Sequence, residues 1–291
     1  MTYDLVHRTV YEYSLPVSVS HHAARLHPRI QAAQDCASFD LRIVPAPAVS
    51  SARNDYFGNA VRYFTIQQPH HRMEITARSR VSASPLLRPD LGRTPPWDEV
   101  SALFLENTPP DLLEPHQFVF GSPMVRRGRE FAAYAAASFP AGRSLLTAVS
   151  DLNGRIHRDF KFDPRATTVT TPVEDVMRLK RGVCQDFAHL MIACLRSLGL
   201  PARYVSGYLR TRPREGAPKL VGADMSHAWV AVFCPGYGWV DFDPTNNLIP
   251  DVEHISVAVG RDYSDVSPVA GIIIGGGRHV VKVAVDLREA D

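Results

Sequence analysis

Apolar and polar residues alternate between residues 3 and 13, with Leu5, His7, Thr9, Tyr11 and Tyr13 on one side and Val6, Arg8, Val10 and Glu12 on the other. A period of two predicts a strand with one buried face. Shorter runs at 38–44, 60–66 and 73–81 have the same character, and the turn-forming stretch Asn54-Asp55-Tyr56-Phe57-Gly58-Asn59 separates two of them. Residues 1–84 therefore read as a small antiparallel β domain of sandwich type. Residues 85–123 are rich in proline, and Pro95-Pro96 and Pro109-Pro110 bracket one short helical stretch from Trp97 to Leu105. That composition predicts a linker that packs as it crosses between domains.

From residue 124 the period lengthens. Helical patterns cover 124–137 and 144–160, and a third helix has a start signal in Thr171 as N-cap, Pro172 at the first helical position and Glu174 as the far half of a capping box. It ends near Gly182. The next helix begins at Cys184, where Phe187, Leu190, Met191, Cys194, Leu195 and Leu198 recur at three- and four-residue spacing before Gly199. Strands follow at 202–209, 227–234 and 239–242, the last two joined by the hairpin residues Pro235-Gly236-Tyr237-Gly238. Further strands are predicted at 255–259 and 279–285. Residues 124–291 thus read as one core, with a central helix packed on an antiparallel sheet, and the whole chain as α+β.

Composition removes several classes of function. A chain of 291 residues, 45% of them hydrophobic, buries a sizeable core. Its 32 basic and 30 acidic side chains leave a charge of +2, which is no footprint for a nucleic acid. The short cluster Arg126-Arg127-Gly128-Arg129 reads as a solvated face. The N-terminal residues lack the apolar run of a secretory signal, and no window is long and apolar enough for a membrane span. Cys36, Cys184, Cys194 and Cys234 form no C-x-x-C pair, so a reducing, cytoplasmic setting is expected. His21-His22 and His70-His71 have no partners at zinc spacing, and glycine-rich nucleotide motifs are absent, so no metal or cofactor is expected.

The remaining chemistry converges on Cys184. The segment Arg181-Gly182-Val183-Cys184-Gln185 places a thiol at the start of a helix, where unpaired backbone N–H groups and the helix dipole favour a thiolate. Nucleophilic catalysis by cysteine also needs a base within reach and a group that orients the base. His227 begins one strand, and Asp241 and Asp243 share a face of the next strand of the same hairpin. Each residue alone has an ordinary alternative: a small buried thiol, a structural histidine, an aspartate bonded to its own turn. Cys194, on the apolar stripe, and Cys234, beside a proline turn, read as structural.

The motifs Arg181-Gly182-Val183-Cys184-Gln185-Asp186-Phe187, Gly199-Leu200-Pro201-Ala202-Arg203, Ser226-His227-Ala228-Trp229 and Trp239-Val240-Asp241-Phe242-Asp243-Pro244-Thr245 together resemble the bacterial transglutaminase-like family of papain-like thiol enzymes. Tyr11-Glu12-Tyr13, Arg25-Leu26-His27-Pro28 and Asp55-Tyr56-Phe57-Gly58-Asn59 resemble the β domain that precedes the core in that family. The resemblance implies a papain-like core, with Cys184 as nucleophile, His227 as general base and acid, and Asp243 as the orienting acid in preference to Asp241. It further implies acyl transfer on a peptide or protein substrate without a cofactor. Hydrolysis by a protease or amidase is expected over amine crosslinking, because no second site for an amine donor can be identified. Glutamine crosslinking, an arylamine-type acyl transfer and a scaffold without turnover are the alternatives. One position departs from the family pattern: Phe162 stands where many members carry a tyrosine, and it cannot donate to an oxyanion. Loss of one such donor costs about 2.7 to 4 kcal/mol in a transition state. The backbone N–H of Cys184 and the side chain of Gln185 are the other donors at hand.

Overall fold

The computed structural model describes residues 1–86, 88–106, 108–211 and 225–290. The alternation at the N-terminus becomes strand β1 (Thr2–Ala24), and Tyr3, Leu5, His7, Thr9 and Tyr13 turn to the buried side as their spacing predicts. At 23 residues the strand is far longer than one flat sheet needs. It pairs along each edge with two strands in succession. On one edge lie β4 (Ala60–Ile66) and β5 (His70–Ala83), all antiparallel to β1, with β3 (Val49–Asn54) outside β4 and β2 (Gln34–Val44) outside β5. Val17, Phe64, Ile66, Met73 and Ile75 pack into one cluster.

The other edge of β1 corrects the expected domain division. Strand β12 (Val269–Gly275) pairs with Val17–Ala24, and β13 (His279–Glu289) pairs with Tyr3–Tyr13, completing a seven-stranded sheet. The end of the segment assigned to the core at 124–291 therefore belongs to the N-terminal sheet. A strand buried on one face and unpaired along one edge leaves its N–H and C=O groups without partners, and the last two strands remove that cost. Periodicity identifies strands; it does not name their partners.

The core is built around α6 (Cys184–Ser197), reached through α1 (Trp97–Glu106), α2 (Leu113–His116), α3 (Arg129–Ala136), α4 (Leu145–Asp159) and α5 (Val173–Leu179). In the proline-rich segment Val100, Phe104, Phe118 and Val119 are buried, and Ser101 donates to the Leu198 carbonyl at 2.6 Å. Two helix starts differ from their predictions. Helix α3 begins at Arg129, five residues after Met124, and α5 begins at Val173 with Pro172 as N-cap. Thr171 instead turns its hydroxyl to accept from the Thr168 N–H, so no box forms with Glu174.

Helix α6 packs on an antiparallel sheet ordered β10 (Gly238–Phe242), β9 (Met225–Cys234), β8 (Ala202–Leu209), β11 (His254–Gly260). Its residues Phe187, Leu190, Met191, Cys194 and Leu195 meet Ala202, Val230, Val232 and Phe242 in the main core. A second cluster joins the two sheets: Tyr3, Leu5, Val285 and Leu287 pack against Tyr208, Ile255 and Val257. The outer edge of β11 is closed by side chains from the N-terminal sheet. Gln34 and Asn59 each offer a carboxamide that accepts from, and donates to, the backbone of Ser256 and Val259 respectively. Asp55 holds Asn59 through its backbone and side-chain N–H groups, which gives the Asp55–Asn59 turn its purpose.

Candidate active site

Cys184 is the first residue of α6 and is half-buried. The helix start is tightened by Asp186, whose Oδ2 accepts from the Val183 N–H at 2.8 Å and from the Thr167 hydroxyl at 2.6 Å. A β-carbon at Gly182 would lie 2.6 Å from that same oxygen, so the glycine before the cysteine is a packing requirement. Cys184 and His227 line one cleft, and the sulfur is near enough for its charge to act on the imidazole.

His227 Nε2 lies 2.7 Å from Asp243 Oδ2, which leaves Nδ1 for the sulfur. Burial alone would push this imidazole down; the hydrogen bonds and negative charges of Asp243 and Cys184 outweigh it, and the pKa is pushed up to about 10. Asp243 is fully buried, and its five contacts divide between its two oxygens. Oδ1 accepts from the backbone N–H groups of Thr245 and Asn246, the turn arrangement that an aspartate before Pro-Thr readily adopts. Oδ2 accepts from Asn246 Nδ2 at 2.7 Å and faces the Nε2 atoms of both His227 and His254, the latter at 3.2 Å. Burial would raise this carboxyl, but the bonds from His227, His254 and Asn246 hold it well below the usual carboxylate range. One side chain thus closes its own turn through Oδ1 and meets both imidazoles through Oδ2.

Asp241 is placed differently: its Oδ2 accepts from Trp229 Nε1 at 3.0 Å. Trp229 is fully buried, with its ring 5.2 Å from that of His254 and 6.0 Å from that of His227. Cys194 and Cys234 are both buried, and burial pushes each thiol up to about 12.

Four contributors escaped the sequence analysis in their roles. His254 and Asn246 complete the surroundings of Asp243. Tyr204 on β8 and Tyr263 in the short helix α7 (Tyr263–Val266) line the cleft beside the sulfur. Burial and then the Cys184 charge raise the Tyr204 phenol well above its ordinary value, so it keeps its proton. Phe162, in the short strand β6 (Lys161–Phe162), is 42% exposed and pairs with Gly182 of β7 (Arg181–Gly182), and the Gln185 amide donates to the Val169 carbonyl at 2.9 Å. Tyr263 is held by its own N–H, which donates to His189 Nε2 at 3.2 Å. Two residues earlier, the carbonyl of Arg261 accepts from the buried Arg196. A strand-period pattern shows which face a residue takes, but not that a phenol 20 residues beyond the thiol shares its cleft.

The ligand atoms of His227, Asp243 and His254 lie within 4.8 Å of one another, the spacing of a metal cluster. Both imidazoles, however, turn Nε2 to one carboxylate oxygen at hydrogen-bond distance. That geometry is built around shared protons.

Gly207 opposes His227 across the β8–β9 ladder. A β-carbon there would overlap the Ile255 carbonyl oxygen and lie 2.5 Å from Trp229 Cη2. Gly207→Ala is expected to destabilise the protein by about 1–3 kcal/mol or more, since one obstruction is backbone. Thermal melts of the variant check this, and an unchanged Tm would show that β11 yields without cost.

Two family models match the chain. The bacterial transglutaminase-like N-terminal region covers residues 3–82, and the transglutaminase-like superfamily core covers residues 133–244. An uncharacterized protein of Mycobacterium tuberculosis is 39% identical over 98% of this chain and 92% of its own length, and one of Mycobacterium leprae is 33% identical over 97% of each. A protein-glutamine γ-glutamyltransferase of Pseudomonas aeruginosa is 35% identical over 100 residues, 32% of this chain and 15% of that protein. Among solved structures, a candidate cysteine protease of Cytophaga hutchinsonii shares the fold over the whole chain and 92% of its own, with a TM-score of 0.76 at 19% identity. Among the described residues no helix is long and apolar enough to cross a membrane.

Proposed function

The chain belongs to the transglutaminase-like superfamily, and from that premise we propose that it carries out thiol-dependent acyl transfer on a peptide or carboxamide bond. The observation that carries this reading is that Cys184 and His227 line one cleft, with the His227 imidazole bonded behind to Asp243 Oδ2 at 2.7 Å. Cys184 attacks the carbonyl carbon as a thiolate, and the tetrahedral oxyanion is met by the Cys184 backbone N–H and the Tyr204 phenol. His227, charged by its two anionic neighbours, gives its Nδ1 proton to the departing amine. The C–N bond breaks and a thioester remains on Cys184. Water then adds to the thioester carbon as His227 takes its proton, and the C–S bond breaks, releasing the carboxylic acid and restoring the Cys184 thiolate beside the imidazolium.

Hydrolysis is favoured over crosslinking by the cleft itself. Its described lining contains no aspartate or glutamate to hold the ammonium of an incoming lysine. Amine incorporation is the second reading, and the partial likeness to a γ-glutamyltransferase is what favours it. A parallel assay separates them: peptide libraries are offered with and without a primary amine, and free acid, released amine and incorporated amine are measured together. Free acid without incorporation is the expected result. Incorporation exceeding hydrolysis would move the assignment to crosslinking, and neither product above background would leave a scaffold.

A further inference from the structure

The wall opposite the catalytic pair comes from the far end of the chain. The cleft has a volume of about 550 Å³, within the range of ligand sites that enclose several side chains. One side is the core, with Cys184, His227, Tyr204 and Tyr263; the other is the N-terminal sheet, in which alternate residues of β13, Val281, Val283 and Val285, face inward. Val281 and Val283 are 43% and 53% exposed and Val285 is buried, so this apolar wall runs from the mouth to the floor. Val280 lies on the opposite face of the same strand and outside the cleft.

No lysine, arginine, aspartate or glutamate lines the cleft among the described residues. Beside the Cys184–His227 pair, His7 and Tyr11 also face the cleft and are neutral near pH 7. Burial pushes His7 down to about 4, with its ring bonded to the Tyr208 hydroxyl and Thr9, and burial pushes Tyr11 up to about 12. Each exposed valine gains by burial against an apolar partner, whereas a charged side chain would lose its water and find no counter-ion.

We infer that the cleft selects an extended peptide whose side chains beside the reacting carbonyl are apolar and uncharged, with β13 as the selecting wall. This rests on the assignment of Cys184 as nucleophile. The wall is covalently remote from the core, so selectivity and chemistry sit on separate sheets: the N-terminal sheet, closed by the C-terminal strand, reads the substrate that the core cleaves.

The test uses peptidyl vinyl sulfones carrying leucine, aspartate or lysine next to the electrophile, with Cys184 modification rates read by mass spectrometry on the full chain. The leucine probe is expected to react on the order of 100-fold faster than either charged probe. Val283→Asp, at an exposed position that the fold tolerates, is expected to lower the leucine rate at least ~10-fold and to raise the lysine rate. Val280→Asp, on the outer face, keeps the wild-type preference. Iodoacetamide, too small to touch the wall, tests the underlying assignment on the unaltered protein: preferential labelling of Cys184 over Cys194 and Cys234 supports it, and its absence overturns the nucleophile and this inference together. Normal iodoacetamide labelling with equal rates for the three peptide probes, or a preference unmoved by Val283→Asp, overturns the selecting wall alone.

Discussion

Cys184→Ala is expected to lower turnover on the order of 10⁶-fold, to the residual level that binding and oxyanion contacts sustain, while the fold persists. The substitution removes one half-buried sulfur atom and places a good helix former at the first position of α6. It also removes one of the two anionic partners that raise His227. The imidazole pKa, about 10 in the intact site, therefore falls in the variant. The sign of the stability effect follows. A histidine raised above its unfolded value near 6.5 stabilises the fold fully below that pH, and the contribution is lost as pH rises through the folded pKa. In the intact protein that loss runs from about 6.5 to about 10, and the alanine variant loses it over a lower and narrower window. Turnover assays, an NMR titration of His227 and melts between pH 6 and 10 check the three statements. Retained turnover would place the nucleophile elsewhere, and an unshifted imidazole would show that Cys184 contributes nothing to its charge.

Much of this arrangement was legible in the amino-acid order because each visible part is local. The glycine break before Cys184 and the apolar stripe after it are properties of one helix, and both appear as read. The hairpin that carries His227 and Asp243 is local too. Choosing between Asp241 and Asp243 was not a local matter. Both share a face by period, and only tertiary bonds, to Trp229 in one case and to His227 in the other, give them different work. The motif before Pro244-Thr245 supplied that choice through family resemblance. His254 remained invisible because it reaches Asp243 from β11, whose place beside β8 no hydropathy pattern encodes. The same limit hid the return of β12 and β13 to β1, across a sequence separation of more than 240 residues, and with it the apolar wall. The cap at Thr171 failed for a different reason: its hydroxyl has a competing backbone partner in the preceding turn.

The second large effect belongs to Asp243→Asn, expected to reduce kcat/KM by about 10³- to 10⁴-fold, as the same change does at the orienting acid of a serine triad. The carboxylate only accepts, and all its contacts are donors: two backbone N–H groups, the Asn246 amide and two imidazole Nε2 atoms. An asparagine fits the space but offers one accepting oxygen. If that oxygen keeps the turn made by Thr245 and Asn246, its NH₂ is set against His227 Nε2, and the imidazole must hold its proton on Nδ1 toward the sulfur. The tautomer that can receive the thiol proton is then lost. The charge that raises His227 is lost as well, so the imidazolium is no longer held through neutral pH. In the intact protein Asp243 stays ionised well below the usual carboxylate range, and its stabilising contribution is present above about pH 4 and lost only as pH falls further. Rapid alkylation of Cys184 near pH 7 should accordingly survive in the intact protein and move to higher pH in Asp243→Asn. Asp241→Asn provides the contrast, because an asparagine oxygen still accepts from Trp229 Nε1 and no imidazole depends on it. Steady-state rates and alkylation profiles of the two variants, compared side by side, decide the matter. Equal losses at 241 and 243 would mean that both act by holding the sheet together, and a selective loss at 243 with a displaced alkylation profile assigns the orienting charge to that one carboxylate.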